Sequence, residues 1–520
     1  MSKKILAAVF TDNMVLQRNK PIKFFGKSTP GDMVTVNFNS FTANAHTKSD
    51  GSWELTFPPM KEAEGLTLTA WDGQSKVTLR NIALGEVWLA GGQSNMEFDL
   101  ARCTDWDRVS KKPNPSIRFF YTPKLPYRND AYYEAFDKAV WQLSDNEEFG
   151  TWSAVAYLFA EKLQEKLGVT IGIIGCNWGG TSASAWMSRE AILENADTRI
   201  YIDEFDERNA GKSLEQQQKE YDDYLIFEKE WNEKCNKCYS DNPSISWDEV
   251  QEICGQCQWP GPINNFNPFR PAGLYDQMLM EICPYSLRGF IYYQGESDDH
   301  RPRSYYKLFS RMINLWRENW GDDTLPFIIT QLPMHKYLTD PDFKNWPIIR
   351  EAQMRAFKTI KNTGITVIPD CGQWNEIHPV NKGPVGERMA LQALWLAYGL
   401  INPKKAFGPI FNYKVINGSS LEIHFDYADG LHITGEPKAY EIAGEDKVFY
   451  RADIDIVKDV MILTSPEVPR PVYARYCWSN YVIPSLFGGN NLPAAPFRTD
   501  FDDEISKELG VASIQQNMET

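Results

Sequence analysis

Apolar positions in this chain follow three patterns in turn. Over residues 5–84 they alternate with polar ones, as in Met33-Val34-Thr35-Val36-Asn37-Phe38, and the runs are broken at Gly31-Asp32, Asp50-Gly51 and Asp72-Gly73. Alternation buries every second side chain and the turn pairs reverse the chain, so residues 1–84 are expected to form an all-β domain. From 85 to 402, buried-looking β runs at 87–90, 117–121, 170–176, 289–293, 327–332 and 365–369 alternate with helical periods. Val155, Phe159, Leu163 and Leu167 recur every four residues and stop at Gly168, which predicts a helix with a glycine end signal. Residues 305–320 and 385–398 read as further helices. Strand and helix in alternation predict a parallel sheet covered by helices on both faces. Residues 201–262, rich in Glu, Lys, Gln, Tyr and Cys, fit neither period and read as a helical insertion. Residues 403–520 return to short strands, as at 420–425 and 460–463, and read as a second, sandwich-like β module. Whether the two β modules pack together is left open by the pattern.

Composition narrows the partners. With 520 residues, 42% hydrophobic and 24% charged, the chain is long enough for several domains with ordinary cores. Its formal charge of −15 argues against nucleic acid or an anionic membrane surface as partner. The apolar run near the start ends at Phe10, too short for a signal peptide, and no stretch approaches a membrane span. A cytoplasmic location and reduced thiols are the expectation for the nine cysteines.

In an open parallel sheet, ligands bind beyond the carboxyl ends of the strands. The first central run gives way there to Gly91-Gly92-Gln93-Ser94-Asn95-Met96, which sets a serine on a tight turn at a helix start beside main-chain N–H groups. An isolated serine in such a place is more often a helix cap. Two other strand ends weigh against that: Gly175-Cys176-Asn177-Trp178-Gly179-Gly180-Thr181 and Tyr293-Gln294-Gly295-Glu296-Ser297-Asp298. Of the six histidines, His46 and His424 lie in strand-like text of the flanking modules, and His300 and His335 follow sheet strands. His378, in a polar loop after the last central strand and before a helix, is in the right layer for a base. His432 competes through Asp429-Gly430-Leu431-His432, but belongs to the carboxy-terminal module.

These blocks, together with Gly85-Glu86-Val87-Trp88-Leu89, Ile377-His378-Pro379 and Asn381-Lys382, resemble the ordered motifs of the sialate O-acetylesterase family. The likeness extends to Asp12-Asn13-Met14-Val15-Leu16-Gln17 and to Pro493-Ala494-Ala495-Pro496-Phe497-Arg498-Thr499-Asp500, covering most of the chain apart from the insertion. The resemblance implies an α/β fold, a flavodoxin-like SGNH hydrolase three-layer sandwich, with Ser94 as nucleophile and His378 as base. It implies an oxyanion hole from the Ser94 and Gly180 N–H groups and the Gln294 amide, and no cofactor for catalysis. The implied substrate is an acetylated carbohydrate, either O-acetyl sialic acid or an acetylated glycan such as plant hemicellulose. The position three before the histidine, often aspartate in SGNH enzymes, is Asn375. The group that orients His378 is then the Glu376 carboxylate, which we favour for its charge, or the Asn375 carbonyl. Two rivals stand beside this reading: a carbohydrate-binding protein on an esterase scaffold, which the 17 Trp and 24 Tyr would suit, and a metal-dependent hydrolase, for which the central domain offers no ligand set.

The insertion carries Cys235-x-x-Cys238 and Cys254-x-x-Cys257, fifteen residues apart, a spacing that suits a structural zinc. Four free thiols in a helical segment are the plainer alternative.

Overall fold

The apolar run that opens the central domain belongs to one continuous strand, Lys76–Gly92. The structure, a computed structural model, describes residues 5–242, 245–337 and 345–500. The amino-terminal half of this strand pairs antiparallel with Ala63–Trp71, and residues 83–85 pair in parallel with Val15–Gln17. From Glu86 onward it pairs in parallel with Ile171–Asn177 and Gly289–Tyr293. The boundary expected at 84/85 therefore falls inside a strand that both units share. The amino-terminal module also joins the central core through side chains: Trp141 donates to the Val9 carbonyl at 2.9 Å, and the Phe10 and Tyr285 rings lie 5.2 Å apart.

The central sheet runs in the order Thr363–Thr366, Phe327–Thr330, Gly289–Tyr293, Lys76–Gly92, Ile171–Asn177, Ile117–Tyr121 and Gln142–Leu143. All neighbours are parallel except the last pair, so with its antiparallel extensions the sheet is mixed. Its central strands are buried on both faces, which is why they read as unbroken apolar runs. Helix Ala154–Leu167 covers the face that carries Trp88, whose ring meets Phe159 at 5.3 Å, and it packs on Gly383–Leu396. Helix Pro302–Trp320 covers the other face, with Trp316 against Phe290 at 5.4 Å. The stop at Gly168 is as expected: this residue caps the first of these helices at φ 66°, ψ 21°, a conformation a Cβ disfavours.

The last central strand begins two residues earlier than the pattern suggests, and Pro369–Cys371 forms a short 3-10 turn instead. The insertion is helical, built from Ala196–Asn209, Leu214–Asp241 and Trp247–Cys254. The carboxy-terminal module holds two four-stranded sheets and a two-stranded ladder. Leu421, Ile423, Met461 and Leu463 share its core with Tyr440, Ile442 and Tyr476. It braces helix Asn345–Thr359, which the periodicity did not mark, through Arg498 on Glu351 at 2.8 and 2.9 Å. Residues 501–520 of that expected module lie outside the described residues. Among the described residues no helix is long and apolar enough to cross a membrane.

Candidate active site

Main-chain hydrogen bonds lace three loops together at the carboxyl edge of the central sheet. Gln93 N–H donates to Tyr293 O and Trp178 N–H to Gly92 O, both at 3.1 Å, so the serine turn is held by the loops on either side. Ser94 opens the short helix Ser94–Glu97. His378 arrives from the loop before helix Gly383–Leu396, and its Nε2 lies 2.7 Å from Ser94 Oγ. Burial and, next, the Lys382 charge lower the His378 pKa from its ordinary 6.5, with Glu376 opposing them, so the ring is a neutral acceptor at pH 7.

The Glu376 carboxylate accepts the main-chain N–H of His378 at 2.7 Å. It lies on the backbone side of the histidine and fixes the turn, where the sequence favoured it as the partner of the ring. A carboxylate two residues back reaches that N–H without folding over Ile377, and the local Asx-like turn prevails.

The oxyanion corner is formed differently from the expectation. Gly179 N–H is taken by Glu97 Oε2 at 2.5 Å, which leaves the next N–H, that of Gly180, without a hydrogen-bond partner among the described residues. Gly180 has φ +76°, and a Cβ there would come within 2.8 Å of the Trp259 ring and 2.9 Å of Phe269, so glycine is required on both grounds. The Gln294 amide is committed elsewhere. Its Nε2 donates to Asp298 Oδ2 at 2.6 Å and Thr181 O at 3.2 Å, while its Oε1 accepts from Tyr305 at 3.2 Å. Fully buried and spent on these partners, it supports the glycine loop and is not an oxyanion donor in this arrangement. Asp298 is the hub of that support, also accepting from Ser182 Oγ at 2.6 Å, Ala183 N–H at 2.9 Å and Tyr201 OH at 2.9 Å.

Three residues inside the recognised blocks were not assigned a role from sequence: Asn95, Glu296 and Lys382. Asn95 Nδ2 donates to Glu296 Oε1 at 2.7 Å and to Ile377 O at 3.0 Å, and its Oδ1 accepts from Lys382 Nζ at 2.5 Å. Asn95 follows the serine and Ile377 precedes the histidine, so this buried amide ties the two halves of the pair together. Burial lowers the Lys382 pKa to about 8 and raises that of Glu296, whose Oε2 has no hydrogen-bond partner among the described residues. The signal was available as polar residues adjoining both reactive positions, but their burial was not legible.

A cavity of about 790 Å³ opens over Ser94 and His378, within the size range of small-ligand sites. Trp259, Phe269, Tyr337 and Trp346 give it aromatic walls, and His300 lines it too. His335 is buried against the Tyr337 and Trp346 rings. His432 lies in the ladder of the carboxy-terminal module, with its Nδ1 3.0 Å from Gly430 O.

The four cysteines whose spacing suits zinc all lie in one small cluster of the insertion. Cys238 and Cys254 approach to 3.6 Å, and both pack with Cys257 against the cluster of Cys235, Trp231 and Val250. Among the described residues no group of three or more His, Cys, Asp or Glu side chains is gathered to hold a metal. All nine cysteines are free thiols.

A hydroxyl held by an imidazole beside an unpartnered N–H suits acyl transfer, and comparison with known proteins gives the class: a carbohydrate esterase. The structure is similar to that of a carbohydrate acetylesterase from Xanthomonas citri, with TM-score 0.74 and 28% identity over 95% of this chain and 99% of the other. The model of the carbohydrate esterases described as sialic acid-specific acetylesterases matches residues 84–209 and 261–393, and the chain belongs to that family. The sialate O-acetylesterase of Mus musculus is 25% identical over 430 residues, 75% of this chain and 73% of its own length. That of Homo sapiens is 25% identical over 433 residues, 76% and 71% of the two chains.

Proposed function

We propose that this chain is a serine esterase that releases acetate from O-acetylated carbohydrate through an acetyl-enzyme. The observation that carries the reading is the 2.7 Å contact between Ser94 Oγ and a half-buried His378 whose pKa lies below its ordinary value. His378 takes the Ser94 proton as Oγ attacks the acetyl carbonyl, then delivers it to the departing sugar oxygen. The tetrahedral oxyanion sits against the Ser94 and Gly180 N–H groups, where one donor is worth about 100 to 1000-fold in rate. Water, deprotonated by His378, then releases acetate and restores the Ser94 hydroxyl. Glu376 and Asn95 are positioning residues, one acting through the His378 main chain and one through Ile377. The parallel pairing and the two helical layers support the flavodoxin-like SGNH sandwich that the resemblance implies.

Acetate release from O-acetyl sialic acid and from acetylated xylan and mannan oligosaccharides, beside hydrolysis of p-nitrophenyl acetate, tests this reading. Turnover is expected for the small ester and for at least one glycan. Background rates throughout would leave a carbohydrate-binding protein as the better description.

A further inference from the structure

The family match leaves out residues 210–260, yet the end of that stretch reaches the cavity, which Trp259 and Pro260 line beside Gly180. We infer that the insertion builds a sugar-binding subsite beside the reactive pair, with Trp259 as its platform, and that the preferred substrate is a neutral acetylated oligosaccharide. The inference deepens the proposed esterase reading and rests on it.

Trp259 is 55% exposed and lines the cavity, so its indole face is open to a ligand there. Its indole meets Phe269 edge-on at 5.3 Å. Buried amides hold the loop that presents it. Asn267 Nδ2 donates to Pro260 O at 2.8 Å and Pro262 O at 3.1 Å, and Asn264 Nδ2 to Gln217 O at 2.7 Å on the long insertion helix. Asn209 Nδ2 reaches Ile263 O at 3.0 Å from the helix before it. Side chains fixed in advance lose little entropy on binding, and a rigid aromatic surface is what the apolar face of a pyranose ring stacks on.

Length and charge select the ligand. The cavity of about 790 Å³ has room beyond one acetylated ring, and Tyr337 stands on its other wall. Of its cations, Arg301 pairs with Glu204 and lies over the Tyr201 ring, and Arg208 is exposed, 3.9 Å from the same carboxylate. With Glu296 and Asp299 also lining the space, the walls favour a neutral chain over an acidic sugar.

The test compares kcat/KM for partially acetylated xylan, mannan and cellulose hexasaccharides with those for the corresponding acetylated methyl glycosides and O-acetyl sialic acid, in wild type, Trp259→Ala and Trp259→Phe. Wild type should prefer at least one hexasaccharide over its single-ring ester. Trp259→Ala should cut that preference about tenfold or more, chiefly through KM, and Trp259→Phe should keep most of it. An unchanged preference in Trp259→Ala, no preference in wild type, or O-acetyl sialic acid as the best substrate overturns the inference. Loss of all turnover in wild type, including p-nitrophenyl acetate, would instead overturn the esterase reading beneath it.

Discussion

Two buried glutamates at opposite ends of the central sheet show how one residue type serves the fold and the site differently. Glu86, where the shared strand enters the sheet, is fully buried and accepts from Arg288, Arg18, Gln17 and Tyr398 at 2.7 to 3.3 Å. Burial would raise its pKa, but Arg288, then Arg18 and Gln17, outweigh burial and hold it below the ordinary 4.5. Glu296, beyond the other end, has one bond from Asn95 and an oxygen with no partner among the described residues, and burial leaves its pKa raised. The first is a satisfied joint between domains. The second is a polar group kept poorly satisfied under a reactive pair, a pattern that accompanies function more often than stability.

The largest effects belong to the site end. Ser94→Ala and His378→Ala are each expected to lower kcat by about 10⁴ to 10⁶ while thermal melting stays near wild type, as for members of a nucleophile and base unit. His432→Ala, in the carboxy-terminal module, should be close to silent. If His432→Ala were inactive and His378→Ala active, the assignment of the base would fall.

The same isosteric change should separate the two glutamates. Glu86→Gln removes the charge that Arg18 and Arg288 share and is expected to cost about 3 to 5 kcal/mol in chemical denaturation. Glu296→Gln keeps an acceptor for Asn95 and removes a buried charge, so its stability should stay within about 1 kcal/mol of wild type. Equal losses in the two variants would break the comparison. The Glu86 contribution is complete above its unfolded pKa and is lost as pH falls through its lower folded value.

A smaller effect tests the electrostatics of the pair. Neutral His378 is the base, so kcat/KM should rise with pH along a limb whose midpoint lies below 6.5. Lys382, with a pKa of about 8, is charged throughout that limb and disfavours the imidazolium. Lys382→Met should move the limb to higher pH. A limb that stays in place or moves down would contradict that coupling. Smallest of all, Glu376→Gln should change kcat only a few-fold, since the amide oxygen still accepts the His378 N–H. A hundredfold loss would return the carboxylate to the ring.

Much of this was legible in the chain, and the rest failed for a physical reason. Run 289–293 matched its strand residue for residue because a strand buried on both faces must be apolar throughout. Ser94 and His378 could be paired from strand order and motif, and the structure brings them together. The strand that runs through 84/85 was not legible, because arginines 68 and 202 residues away bury Glu86 inside it. Gln294 misled because its amide sits in the right loop, but Asp298, four residues on, claims it. Trp259 gave no local sign of its place, which depends on three helices closing a loop against Gly180.

The central claim, that Ser94 is a nucleophile activated by His378, is tested most directly by covalent trapping with an organofluorophosphonate followed by peptide mass mapping. One adduct per chain on Ser94 is predicted, absent in Ser94→Ala and formed far more slowly in His378→Ala. Full esterase activity with no adduct, or an adduct on another residue that accompanies inactivation, would contradict it.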